Sequence, residues 1–217
     1  MSETPQTRSV KIGADERTGW SSERPRRDGE TGGRPVDVSV RCRILRFEHR
    51  MRYSPGSLLI IAGTAASDPA GWAQKVVEDA SAVISPAKVR ALLAGRVAAE
   101  ELEDRANQLL QTAVSKRLSE GQSVVVPFDR FDEASGEARR EFARVAHGLR
   151  RPRHLILLDS GKDEPSSDDD RKGLDELRRL LDTGALGDES FQTALRLSRV
   201  NRSELKKIVF RPAPKND

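Results

Sequence analysis

The stretch that decides the fold is Leu58-Leu59-Ile60-Ile61-Ala62-Gly63-Thr64-Ala65-Ala66-Ser67-Asp68-Pro69-Ala70-Gly71-Trp72. Its first five residues are apolar without interruption, which is the length of a strand and leaves no face for water, so the strand is expected inside a sheet covered on both sides. Gly63 ends the run. Ser67 or Asp68 followed by Pro69 then has the form of a helix start, with an N-capping oxygen, a proline at the first helical position and a carboxylate at the positive end of the helix dipole. A strand that hands a glycine turn to a helix N-terminus is also where backbone N–H groups gather around an anion.

Outward from this stretch the pattern repeats. Apolar runs at Ala82 to Ser85, Ser123 to Val126 and His154 to Leu158 read as further strands, with Ile208 to Phe210 as a fifth. Helical spacing covers Ala70 to Ala80, Pro86 to Leu93, Ala98 to Ser119, Glu133 to Leu149, Arg171 to Leu181 and Glu189 to Val200. Strands that alternate with amphipathic helices predict a three-layer α/β fold with a mostly parallel sheet and right-handed crossovers. Before the core, Val36 to Tyr53 alternates apolar with polar residues on either side of a phase change at Ile44-Leu45, which predicts an antiparallel strand or hairpin with an Arg-rich face. Residues 1–35 show neither period and read as a disordered basic leader. The expected organisation is that leader followed by one domain over 36–214. Within it lie the strand or hairpin (36–53), the core (58–160), an acidic loop (161–170) and C-terminal helices with a last strand (171–214).

Composition limits the function classes. The 217 residues are 36% hydrophobic and 33% charged, with a formal net charge of +4. Residues 1–54 hold 12 Lys and Arg against 8 Asp and Glu, while the remainder balances at 26 against 26. A neutral body argues against one broad nucleic-acid-binding surface and leaves a local patch or a basic arm. No run approaches the ~18 apolar residues of a spanning helix, and the first residues lack a signal-peptide pattern, so no membrane association and a cytoplasmic location are expected. Cys42 is the only cysteine, and His49, His147 and His154 are scattered, so neither an internal disulfide nor a zinc site is expected.

The order of Gly63, the helix near Gly71-Trp72-Ala73, Val83-Ile84-Ser85, Arg90, Ser115-Lys116-Arg117-Leu118, Val124-Val125-Val126, Ala138-Arg139 and Asp159 resembles the P-loop kinases of the polynucleotide kinase type. The resemblance implies a P-loop NTPase-like fold and a pocket for ATP or GTP with magnesium. It also implies catalytic letters that this chain lacks. Counted from Gly63, the family's glycine, lysine and serine or threonine fall on Asp68, Pro69 and Ala70, a degenerate Walker A motif. Asp68 opposes phosphate charge, at about 3 kcal/mol per unit charge for ~5 Å and an effective dielectric of ~20. Pro69 has neither ammonium nor N–H, and Ala70 has no hydroxyl for magnesium. Lys75 lies ~9 Å and roughly 240° around the helix from the lost lysine position.

The family's acidic general base aligns with Ala87, three residues before a retained Arg90, and the magnesium-organising acid aligns with Pro127, with Asp129 two residues on. The arginine-bearing lid is replaced by the acidic Gly161-to-Asp170 loop. What the resemblance leaves is a vestigial cofactor pocket of Gly63, Ser67, Asp68 and Arg90, with no catalytic residue, no metal and no cofactor expected.

Two basic groups stand outside that pocket. Arg139, Arg140, Arg144, Arg150, Arg151 and Arg153 crowd one helix and its exit, with Glu133, Glu137 and Glu141 as local partners. Arg24, Arg26, Arg27 and Arg34 in the leader, with Arg41, Arg43, Arg46, Arg50 and Arg52, form the second, whose strand members equally serve as edge protection. The expectation is a non-catalytic binding or scaffold protein with a protein partner, or nucleic acid held through the basic leader and the arginine helix. The alternative is a phosphotransferase or NTPase with a remodelled loop, using Ser67, Arg90 and Lys75 or Asp129.

Overall fold

The structure is a computed structural model that describes residues 41–159, 161 and 167–212. The chain divides into two units, Met1–Val38 and Ser39–Asp217, and only the second is described. The expected disordered leader falls outside the described residues.

Five strands form one parallel sheet in the order β1 (Arg43–Ile44), β6 (Thr193–Leu197), β5 (Arg153–Leu158), β3 (Leu58–Ala62) and β4 (Val124–Phe128). Period-2 alternation sorts their side chains between two apolar layers. Leu58, Ile60, Ala62, Val124, Val126, Leu155 and Leu157 face helices α3 (Leu102–Ser119), α4 (Glu133–Gly148) and α5 (Asp168–Thr183). Leu59, Ile61, Val125, Ile156, Leu158, Leu195 and Leu197 face α1 (Pro69–Val76) and a ribbon of β2 (Arg50–Tyr53) and β7 (Lys207–Phe210). Helix α2 (Pro86–Leu93) adds Val89 to the first layer, and the short α6 (Arg199–Glu204) connects β6 to β7. The α/β class, the mostly parallel sheet and the three layers are as expected.

Four elements differ from the sequence expectation. The antiparallel strand or hairpin over 36–53 is instead two separate strands, each parallel to its partner: β1 pairs with β6 at the sheet edge, and β2 pairs with β7. Alternation reports a half-buried strand and carries no information on the partner's direction; the phase change at Ile44-Leu45 marks where the chain leaves the sheet for the ribbon. Ala82 to Ser85 contributes only a bridge between Val83 and Val125 after a tight turn at Ala80–Ala82. Glu189 to Val200 is not helical, because Thr193–Leu197 is β6, hydrogen-bonded between β5 and β1. Phe191, Ala194 and Leu195 have helical spacing, but Leu195 and Leu197 point into one layer with Arg196 between them, which is strand geometry.

Helix α5 begins at Asp168, with the Ser167 hydroxyl accepting from the Asp170 N–H at 3.0 Å and three acids in its first turn. The last residues of the acidic 161–170 stretch are therefore helix rather than loop. Residues 160 and 162–166 lie outside the described residues.

Candidate functional site

In an open parallel sheet a ligand crevice is expected at the carboxyl ends of two neighbouring strands whose connections leave toward opposite sides. Here β3 leads toward β4 on one side while β5 leads to β6 on the other, so the crevice falls between the ends of β3 and β5. Gly63 stands at one lip and Asp159 at the other.

The loop after β3 is closed on itself. The Gly63 N–H donates to the Phe128 carbonyl at 3.0 Å, continuing the ladder with β4. Residues Ala65–Ser67 then make a 3₁₀ turn in which the buried Ser67 hydroxyl and its N–H both donate to the Thr64 carbonyl, at 2.7 and 2.9 Å. That hydroxyl lies where a Cβ on residue 63 would be, which explains the glycine as a packing requirement. Asp68 takes the left-handed conformation, φ 42° and ψ 65°, and its carboxylate accepts the Gly71 N–H at 2.9 Å. The carboxylate fills the space that a Cβ on residue 71 would need. The expected N-cap at Asp68 with Pro69 at the first helical position is therefore present. The turn is also pinned from outside: Arg202 of α6 donates to the Ser67 carbonyl at 3.3 Å, and the Trp72 indole N–H donates to the Arg202 carbonyl at 3.3 Å.

Of the sequence-predicted positions, the structure gathers Asp68, Pro69, Ala70, Ala87, Pro127 and Asp129 around one cavity of about 50 Å³. Ser67 is buried beside it, while Arg90 forms an ion pair with Glu103 at 3.4 Å and Lys75 is exposed in the last turn of α1. Among the described residues, the cavity wall thus carries two carboxylates and no cation. Nucleotides need several hundred Å³ and compensating positive charge. The residues present do not fit a nucleotide phosphate with magnesium. Among the described residues, no group of three or more His, Cys, Asp or Glu is placed to hold a metal ion.

At the other lip, Asp159 is buried and doubly clamped. Arg178 of α5 reaches its two oxygens at 2.5 and 3.2 Å, Arg196 of β6 donates at 2.5 Å, and the Gly161 N–H donates at 3.1 Å. Burial pushes the carboxyl pKa up, but the bonds from Arg178, Gly161 and Arg196 outweigh it and hold the group below its ordinary value. A groove of about 740 Å³ opens beside this cluster, lined also by Asp175, Ser198, Arg199 and Asn201. Sequence reasoning missed Arg178 and Arg196 as a pair, because residues 189–200 read as helix and nothing local placed Arg196 at a strand end.

The arginine helix does not form one surface. Arg139 makes a two-pronged pair with Glu189 at 3.1 Å, both side chains nearly buried, so it ties α4 to the chain before β6. Arg151 donates to the Leu118 carbonyl at 2.8 Å, closing the end of α3, and the buried Arg153 donates to the Ser190 and Arg151 carbonyls. Arg140 lies 3.9 Å from Glu189 and Arg144 pairs with Glu141 at 2.9 Å. Arg150 is exposed, with a left-handed backbone at φ 57°. Of the six, Arg139, Arg151 and Arg153 are thus engaged within the fold.

No family model matches the chain, and no curated protein matches it. Among solved structures it is similar to the Mycobacterium tuberculosis APS kinase solved with AMPPNP and APS, at 14% identity over 70% of this chain and 94% of that one, TM-score 0.40. It is also similar to a Janibacter sugar kinase solved without ligand, at 13% identity over 70% and 91%, TM-score 0.35.

Proposed function

We propose that this chain is a catalytically degenerate, P-loop kinase-like protein that acts as a non-catalytic binding or scaffold protein. The observation that carries the reading is the Asp68 carboxylate seated on the Gly71 N–H. A kinase of this type keeps that helix start open for phosphate. Here an internal anion of the right sign occupies it, and the loop needs no ligand to satisfy the backbone groups it uses. The lining of the 50 Å³ cavity, with two carboxylates and no cation among the described residues, supports the same reading, as does the alanine at 87 where a general base would stand.

In this reading the sheet is kept as a rigid frame and no cofactor is bound. Its partner is a macromolecule, with a protein as the first expectation from a body of balanced charge. Calorimetric titration of the whole protein with ATP and with GTP, with and without magnesium, tests it. No heat and no rise in melting temperature at millimolar nucleotide is the expected result, because a ligand that binds only the folded state must raise stability. Saturable binding in the micromolar range would overturn it in favour of a phosphotransferase or NTPase with a remodelled loop.

A further inference from the structure

We infer that α6 is a strap across the crevice, one that opens as a unit and releases both lips together. Each of the helices α1 to α5 is held by apolar side chains buried on its inner face, from Val89 in α2 to Ala106, Leu110, Val114 and Leu118 in α3. Helix α6 is different. Among its six described residues none is buried, and Val200, its large apolar side chain, is 63% exposed. Helices in proteins owe most of their stability to the packing of an apolar face, and one this short is not stable without it.

The ties of α6 to the body are polar. The Arg202 guanidinium donates to the Ser67 carbonyl and the Trp72 indole N–H donates to the Arg202 carbonyl, both at 3.3 Å. At its last turn, Nδ1 of the exposed His49 lies 3.2 Å from the Glu204 carbonyl. At its start, the Ser198 hydroxyl accepts the Asn201 N–H at 3.3 Å. These distances sit at the long edge of the range for such bonds. The flanks are firm by contrast: Leu197 at the end of β6 and Leu205 before β7 are both buried. A segment with weak polar ties between two buried anchors opens locally while the sheet stays folded.

Its position gives the opening a consequence. Ser198, Arg199 and Asn201 line the groove beside Asp159, while Arg202 pins the turn after β3 through Ser67. Helix α6 therefore touches both lips, and lifting it unroofs the groove and frees the turn in one movement. The inference goes beyond the scaffold reading and does not depend on it, since it concerns access to the crevice and not what occupies it.

Native-state hydrogen exchange of the full chain, read by NMR and corrected for intrinsic rates, is the test. The amides of Arg202 and Leu205, which donate to the Ser198 and Asn201 carbonyls, report on α6. They should exchange at least ~tenfold faster than those of β6, through an opening that denaturant hardly changes. The Trp72 indole N–H, bonded to the Arg202 carbonyl, should share the same opening equilibrium. Arg202→Ala and His49→Ala remove ties at different places, so each should speed all three protons about two- to tenfold, the factor one hydrogen bond is worth. Melting curves that match the parent show that the variants fold, and the parent's exchange alone already decides whether α6 opens. Amides of α6 as slow as those of β6 overturn the inference. So does a His49→Ala variant that speeds the Leu205 amide and leaves the Trp72 indole unchanged, because that result is fraying from one end and not the lifting of a unit.

Discussion

Asp68 shows how one side chain decides what a loop can do. Its carboxylate caps α1, and the space it occupies is available only because residue 71 has no Cβ. Asp68→Ala should lose about 1 kcal/mol in urea unfolding, the ordinary value of an N-cap, and Gly71→Ala should lose at least as much because it evicts the same carboxylate. His154 is the other informative residue. It is buried, with Nδ1 2.8 Å from the Thr193 hydroxyl and its ring 4.6 Å from that of Tyr53. Burial first, and the Arg153 charge second, lower its pKa from 6.5 to about 4. Between those values the unfolded chain binds more protons than the folded one, so stability should rise with pH from about 4 to 6.5, by roughly 3 kcal/mol in all. Comparing the pH dependence of the parent with His154→Leu isolates this window; parallel curves would show that His154 does not cause it. The cap at Asp68 was legible in sequence, since Asp-Pro opening a helix is a local signal. The His154 site was not, because it depends on Tyr53 arriving from a strand a hundred residues away.

Between elements, the helices are fixed by a few close approaches. Helix α5 passes so near the loop before α4 that a Cβ on Gly173 would collide with the Phe131 carbonyl, and the Asp170 carboxylate accepts the Phe131 N–H at 3.0 Å. Gly173→Ala should therefore destabilise by about 2 kcal/mol in denaturant titration, although alanine is the better helix former. The Arg139–Glu189 pair makes a second tie. Arg139→Met alone should cost about 2 to 3 kcal/mol by stranding a nearly buried carboxylate, whereas Arg139→Met with Glu189→Leu should cost less. A double variant as unstable as the sum of the singles would show the two side chains to be uncoupled. At this scale the continuous apolar runs of β3, β4 and β5 read correctly because burial on both faces leaves an unambiguous pattern. β6 failed because its apolar positions fit both periods, and the direction of β1 and β2 failed because alternation is blind to the partner.

For the whole molecule, the two lips of the crevice are held by different means: a carboxylate on a helix start at β3, and two arginines on a carboxylate at β5. The first is readable in one short segment, Asp68-Pro69. The second was assembled from α5, β5 and β6, and only the tertiary fold brings those residues together. Since the Asp159 carboxylate is held below its ordinary pKa, Asp159→Asn should flatten the acid limb of the stability profile, a difference readable by thermal unfolding at several pH values.

The contact between Trp72 and Arg202 gives this chain a built-in optical probe. The protein has two tryptophans, Trp20 and Trp72, so a Trp20→Phe variant emits from a single indole that sits half-buried beneath α6. Withdrawal of α6 would wet that ring and move its emission to the red, so the docking of α6 over the loop after β3 can be followed in real time without a label.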